Sequence, residues 1–503
     1  MDADILLAID QGTTGTTSLV MDTSGVTLGR ATREFQQHFP EPGLVEHDAD
    51  EIWQSVTDAV QEALQVAGVP GDRIKAIGIT NQRETTLVWD RATGKPVHRA
   101  IVWQDRRTAG RCAELRAAGH EAAVKQTTGL VLDPYFSGTK LAWILDHVEG
   151  ARGRAEAGDL AFGTIDSFLV WRLSGDAQGG APVHVTDATN ASRTLLMNLE
   201  ALDWDDAMLS LFGVPRQVLP RIVGSAERVA KTRRVPHLPD GIPITGIAGD
   251  QQAALFGQAC FSVGDAKCTY GTGAFALANV GNRPLRSRFG LLTSVGWKIG
   301  DEVVFVLEGS AFVAGAAVQW LRDGLGIIKS AGEIEALARK VPSSEGVSFV
   351  PALSGLGAPY WDPEARGLIC GVTRGTTAAH IARAALEGIA LEVADLLGAM
   401  AEDLGRPIAK MRVDGGAAAN SLLMQIQADV ADVTIERPAE LESTARGAAM
   451  LAGVGVGLFK DKSESARMSH LDRTFQVELS EAERAEHRRR WAEAVARSRW
   501  PRV

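Results

Sequence analysis

The chain has 503 residues, enough for two sizeable domains with separate cores. Its apolar share of 45% and charged share of 23% are ordinary for a globular protein, and a net charge of −10 disfavours nucleic acid or an anionic membrane surface as a partner. No apolar run reaches the roughly 18 residues of a membrane span, and residues 1–10 have no basic export signal.

Cys112, Cys260, Cys268 and Cys370 are scattered, without CxxC spacing, and read as buried free thiols in a reducing compartment. The expectation is a soluble cytoplasmic protein with no stable membrane insertion.

Residues 5–22 (ILLAIDQGTTGTTSLVMD) form the first informative segment: two apolar strands joined by a glycine–threonine loop. Gly12 and Gly15 let backbone N–H groups approach an anion, and Thr13, Thr14, Thr16 and Thr17 add hydroxyls. Asp10 closes the first strand, where a carboxylate suits a hydrated Mg²⁺ beside phosphates. The loop runs into a strand and has no GxxxxGK[ST] pattern, so it is not a Walker A loop. A polar hairpin turn is the plain alternative.

Short β-type runs then alternate with longer amphipathic ones, the α/β pattern. Strands are expected at 5–9, 18–21, 74–79 and 86–89, and helices at 50–66, 109–117 and 140–147. The second half repeats the scheme, with a strand at 243–247, a hairpin at 265–280 turning on Gly-Thr-Gly, and helices at 309–322, 380–402 and 421–430. Each half thus has a hairpin with a glycine–threonine turn, which suggests two related lobes facing one nucleotide. The boundary is placed near Gly249, giving 1–248 and 249–503. Gly271, Gly273 and Ala276 satisfy a relaxed GxGxxA pattern, but a strand-like run follows, so a dinucleotide fold is rejected. Ser480 and Glu483 form a capping box for a terminal surface helix.

Four further stretches offer chemistry. In TNQRET (80–85), Arg83 and Glu84 pair a donor fork with an acceptor, suited to neighbouring hydroxyls; a solvated loop pair is the bland reading. In GDQQ (249–252), Asp250 stands where a strand passes into a helix, and a simple N-cap is the common alternative. Thr272 lies in a second anion-friendly turn. In DGGAAAN (414–420), two glycines break a strand and make room for a flat ring. Gly315 and Gln319, four apart on one helix face, suit the border of the same ring.

The segments YFSGTKLAWILDH (135–147) and GLICGVTRGTTAAHIARAALE (367–387) resemble the signature patterns of the FGGY carbohydrate kinases. That resemblance implies an α/β, two-lobed, actin-like (ribonuclease-H-like) ATPase fold with its active site in the interlobe cleft. DQGTT, PGLVEHDADEIW, GITNQRETT, IVWQDRRT, AGDQQAALFGQ, TYGTG and VDGGAAAN are most similar to the members that act on glycerol, nearly unbroken from residue 5 to about 459. Position by position, the resemblance implies that Arg83, Glu84, Tyr135 and Asp250 bind glycerol hydroxyls, with Gln251 beside them. Trp103 and Phe275 supply the apolar wall. Thr13, Thr14, Gly15 and Thr17 would hold ATP phosphates, and Thr272, Gly315, Gln319, Gly416 and Asn420 the rest of the nucleotide. Asp10 and Asp250 would hold Mg²⁺, and Asp250 would be the general base. A homodimer or homotetramer is implied as well.

Two departures from the family pattern stand out. Thr17 takes the place of an arginine that many relatives carry after the phosphate loop. The stretch 231–246 (KTRRVPHLPDGIPITG) lacks the glycine cluster of fructose 1,6-bisphosphate-regulated relatives, so no such inhibition is expected. His237 nearby lacks the flanking aromatics of phosphorylated relatives and reads as a surface residue. Among rivals, a pentulose or hexonate kinase of the family would share the nucleotide motifs but not Arg83-Glu84 with Trp103 and Tyr135. An actin-like nucleotide switch would lack both signature segments.

Overall fold

The computed structural model describes residues 4–175 and 182–499. Two sheets are built to one plan. In the six-stranded first sheet, Ile5–Gln11 pairs antiparallel with Gly15–Asp22 and parallel with Ile74–Asn81, and Pro243–Gly249 continues parallel beyond that. In the seven-stranded second sheet, Ala266–Tyr270 pairs antiparallel with Ala274–Gly281 and parallel with Lys410–Asp414, and Thr434–Pro438 continues parallel. The internal repeat expected from the two hairpins is therefore present in the topology.

Helix Ala49–Ala67 shows how local sequence builds the first lobe. The Asp48 side chain caps it by accepting from the Asp50 and Glu51 backbone N–H groups, and Gly68 ends it at φ 64°. Its apolar stripe of Ile52, Val56, Val60 and Ala63 packs with Ile5, Leu7, Ile9 and Ile77 of the sheet. In the second lobe, the 27-residue helix Ala378–Leu404 plays the corresponding part. The terminal helix Glu481–Ser498 carries the expected Ser480/Glu483 capping box.

The lobes also exchange an element. Helix Ser443–Val456 belongs to the second half of the sequence yet lies on the first sheet: a Cβ on Gly78 would sit 2.1 Å from the Ala448 carbonyl oxygen. Glycine is required there because backbone meets backbone.

Two expectations change. Residues 309–311 belong to strand Glu302–Ala311, and the helix spans Gly315–Asp323. The small residues of GSAFVAGAAV fit either periodicity, and pairing of Ala311 with Ala274 decides for the strand. The strand expected at 86–89 is present as Leu87–Asp90, outside the main sheets and paired with Leu160–Gly163. Cys112, Cys260 and Cys268 are buried free thiols as expected, but Cys370 is half-buried.

Candidate active site

The first hairpin turn is closed by the Gly12 N–H donating to the Gly15 carbonyl at 2.9 Å. Asp10 and Thr17 are direct partners across its strands. Gly15 has a packing reason beyond anion approach, since a Cβ there would lie 2.8 Å from the Arg33 carbonyl oxygen. The Thr13 hydroxyl accepts from Trp103 Nε1 at 3.0 Å, tying this turn to the expected apolar wall. Thr14 is exposed at the tip, and the Thr17 hydroxyl bonds that of Thr32 at 2.9 Å.

The second turn is closed by Gly271 N–H to the Gly273 carbonyl at 2.9 Å and is stitched to the following helix. Ala314 and Ala316 N–H groups donate to the Thr272 carbonyl at 2.8 and 3.0 Å. Thr272, Gly315, Gln319, Gly416 and Asn420 all line one cavity of about 400 Å³ beside this turn. Glu335 also lines it and was not singled out in the sequence. Gly415, at φ 83°, breaks the strand as expected, and a Cβ there would strike the Tyr270 backbone at 2.5 Å.

Arg83 and Glu84 are buried at 3% and 1% exposure, which overturns the solvated loop reading. Glu84 sits at φ 61°, a strained left-handed conformation for a side chain of this size. The Arg83 fork is not open: NH1 and NH2 grip Glu308 Oε2 and Oε1 at 2.7 and 2.9 Å. NH2 also reaches the Tyr135 hydroxyl at 3.4 Å, and Nε stands 3.2 Å from Asp250 Oδ1. Arg193 Nε donates to Glu84 Oε1 at 2.6 Å, and no hydrogen bond reaches Glu84 Oε2 among the described residues. Trp103 and Tyr135 meet edge to face, ring centroids 5.5 Å apart. Phe275 is half-buried just beyond the Thr272 turn, opposite Ser310.

Asp250 is the first residue of helix Asp250–Gly257, with Gly249 at the N-cap position, so the simple N-cap reading fails. One third of its side chain is exposed to the cleft. Desolvation pushes its carboxyl above the ordinary range, while the Arg83 guanidinium and Lys267 ammonium pull it back. Lys267 is buried and donates to Gln251 Oε1 and to the Thr269 hydroxyl.

Burial, and then the charge of Asp250, push Asp10 well above its usual value. Two carboxylates that repel one another in a cleft suit a cation. Among the described residues no group of three or more His, Cys, Asp or Glu could hold a metal. A Mg²⁺, which keeps several waters and takes one or two carboxylates plus phosphate oxygens, fits such a pair.

Glu308, Arg193 and Lys267 were missed by sequence reasoning. Glu308 stands 225 positions from Arg83, directly after the continuous apolar run VVFVL of its strand, and nothing local names its partner.

Two duplicated sheets, each with a hairpin turning on glycine and threonine and the second of these beside a cavity of about 400 Å³, define a two-lobed α/β fold of the actin-like class. The chain belongs to the FGGY family of carbohydrate kinases: residues 5–257 match the family's N-terminal domain and residues 266–456 its C-terminal domain. It is 55% identical over 498 residues to a glycerol kinase of Myxococcus xanthus, covering 99% of each chain. It is 56% identical over 494 residues to one of Deinococcus radiodurans, covering 98% of this chain and 97% of the relative. Among solved structures, Plasmodium falciparum glycerol kinase with ADP superposes with a TM-score of 0.93 at 35% identity, covering 99% of each chain.

Proposed function

We propose that this protein transfers the γ-phosphoryl group of ATP to a terminal hydroxyl of glycerol, giving sn-glycerol 3-phosphate and ADP, the first step of glycerol catabolism. The observation that carries the reading is the convergence of Arg83, Tyr135 and Asp250 within 3.4 Å contacts, beside the wall formed by Trp103. A three-carbon triol needs that division, with polar groups for hydroxyls and an aromatic face for C–H edges. The curated relatives named glycerol kinase, alike over nearly the whole chain, support it.

In this reading the acceptor hydroxyl oxygen attacks the γ-phosphorus in line, the bond to the β–γ bridging oxygen breaks, and Asp250 takes the hydroxyl proton. Arg83, Glu84, Tyr135 and Gln251 orient the acceptor, and Phe275 completes the apolar wall. Thr13, Thr14, Gly15 and Thr17 hold the phosphates, while Thr272, Gly315, Gln319, Gly416 and Asn420 hold the nucleoside side. Asp10 and Asp250 would hold Mg²⁺, which neutralises phosphate charge when bound. Because the transition state is loose, positioning and charge supply most of the acceleration. Lobe 1–248 carries the glycerol site and the phosphate hairpin, and lobe 249–503 the catalytic aspartate and the adenosine site. The protein acts in the cytoplasm as a homodimer or homotetramer.

A coupled assay comparing glycerol with xylulose, ribulose and gluconate tests the assignment. Glycerol should be phosphorylated with the highest kcat/KM, and preference for any of the others would overturn it.

A further inference from the structure

Glu308 and Arg193 lie beneath the acceptor corner, at 3% and 0% exposure. Glu308 comes from strand Glu302–Ala311 of the second sheet, and Arg193 follows the short helix Ala188–Ala191 of the first lobe. Between them they touch three of the residues assigned to the acceptor. Glu308 grips both terminal nitrogens of Arg83 at 2.7 and 2.9 Å. Arg193 bonds Glu84 at 2.6 Å, reaches Glu308 Oε1 at 3.3 Å, and lies over the Tyr135 ring at 5.5 Å.

Stability alone does not account for this network. Burying two arginines and two glutamates is costly, and well-packed apolar residues commonly serve a core as well or better. The geometry gives a different reason. Arg83 has five N–H donors in a rigid plane. With both terminal nitrogens held by Glu308, only the Nε edge is presented to Asp250, at 3.2 Å. Without that grip, the nearest carboxylates for the fork are Asp250 and Glu84. A two-point pair with Asp250 would lock the base in a salt bridge and turn the plane away from the acceptor. Arg193 acts likewise on Glu84, occupying Oε1 and leaving Oε2 for a hydroxyl. The charges agree: despite burial, Arg193 and Arg83 hold the Glu308 carboxyl down to about 2, so it stays an acceptor at any working pH.

We propose that Glu308 and Arg193 are positioning residues for the phosphoryl acceptor: Glu308 holds Arg83 edge-on to the base, and Arg193 presents the free oxygen of Glu84. The proposal rests on the reading of this corner as the acceptor site.

The test is Glu308→Gln beside Glu308→Asp, with kcat and both KM values measured on whichever of glycerol, xylulose, ribulose and gluconate the wild-type enzyme phosphorylates best. Wild-type preference for another acceptor would overturn the glycerol reading and leave this test in force. In Glu308→Gln the acceptor KM should rise about tenfold or more and kcat should fall, because a charge-assisted grip is lost. The ATP KM should stay within about twofold, since the nucleotide cavity is elsewhere. Glu308→Asp keeps the charge but is one methylene short of both nitrogens, so its acceptor KM should rise while its ATP KM stays within about twofold. A folded Gln variant with unchanged acceptor KM and kcat, or with both KM values raised equally, overturns the proposal. Should the Gln variant not fold, an unchanged acceptor KM in Glu308→Asp overturns it alone.

Discussion

Gly257 and Gly447 face each other where the helix headed by Asp250 crosses the helix lying on the sheet of Asp10. A Cβ on Gly447 would lie 1.8 Å from the Ala253 carbonyl oxygen and 2.9 Å from the Gly257 nitrogen. No side chain separates the two backbones, so this crossing fixes how the two cleft carboxylates stand to one another. Gly447→Ala should force the helices apart, destabilising by roughly 1–3 kcal/mol as overpacking does, and should lower kcat by displacing Asp250. Urea unfolding and steady-state rates measure both effects. A variant with wild-type midpoint and kcat would show that the crossing has slack.

Gly315 gives a more local test. It lines the cavity proposed for the nucleotide, yet its missing side chain is required by the Gly271 carbonyl, 2.6 Å from where a Cβ would stand. Gly315→Ala must therefore shift the Thr272 turn. The ATP KM should rise about 10- to 100-fold, the range of an ångström-scale misplacement, with the glycerol KM little changed. Equal effects on the two substrates would contradict the assignment of this cavity to the nucleotide.

These glycines also show what the sequence could and could not reveal. Both hairpins were legible because glycine and threonine at a strand-to-strand turn have few other uses. Five of the nucleotide candidates fell on one cavity: the spacing of Gly315 and Gln319, the Thr272 turn and the glycine break at 415–416 pointed to a bound ring, and the family resemblance joined them into one site. The helix at 315 was misplaced by six residues, since small residues satisfy both periodicities and only cross-strand pairing separates them. Glu308 and Arg193 were invisible for a physical reason. A buried ion pair between distant segments leaves no local pattern that names its partner, and a lone Glu after the apolar run VVFVL reads as the end of a strand. The closed fork of Arg83 followed from the same gap.

Thr17 stands in the hairpin proposed to hold the phosphates, at the place where the family resemblance implies an arginine in many members. Its hydroxyl bonds Thr32, and it stands opposite Asp10 in the strand pairing. Thr17→Arg should add a charge-assisted contact to ATP and lower the ATP KM by roughly tenfold. Steady-state kinetics at fixed glycerol read this directly. An unchanged or raised KM would mean that the added side chain does not reach the phosphates.

Glu392 predicts a pH effect on stability. It is buried, its Oε2 has no hydrogen-bond partner among the described residues, and burial with the nearby charge of Asp395 pushes its carboxyl up to about 8. An unfolded glutamate titrates near ~4.3. Below that pH both states hold the proton. Between there and about 8 only the unfolded chain loses it, so stability should fall as pH rises and level off above 8. Glu392→Gln has no proton to lose. Its decline in unfolding free energy from pH 5 to pH 8 should be smaller by roughly 3–4 kcal/mol. Parallel curves for variant and wild type would contradict this.

The most direct measurement follows label from [γ-³²P]ATP into product with wild type and Asp250→Ala. The wild type should place the label on glycerol, yielding sn-glycerol 3-phosphate in proportion to ADP. The variant should fold normally yet lose about 10²–10⁴-fold in rate, the scale of a missing general base. Label appearing as inorganic phosphate regardless of glycerol, or an Asp250→Ala enzyme that turns over like the wild type, would contradict the account.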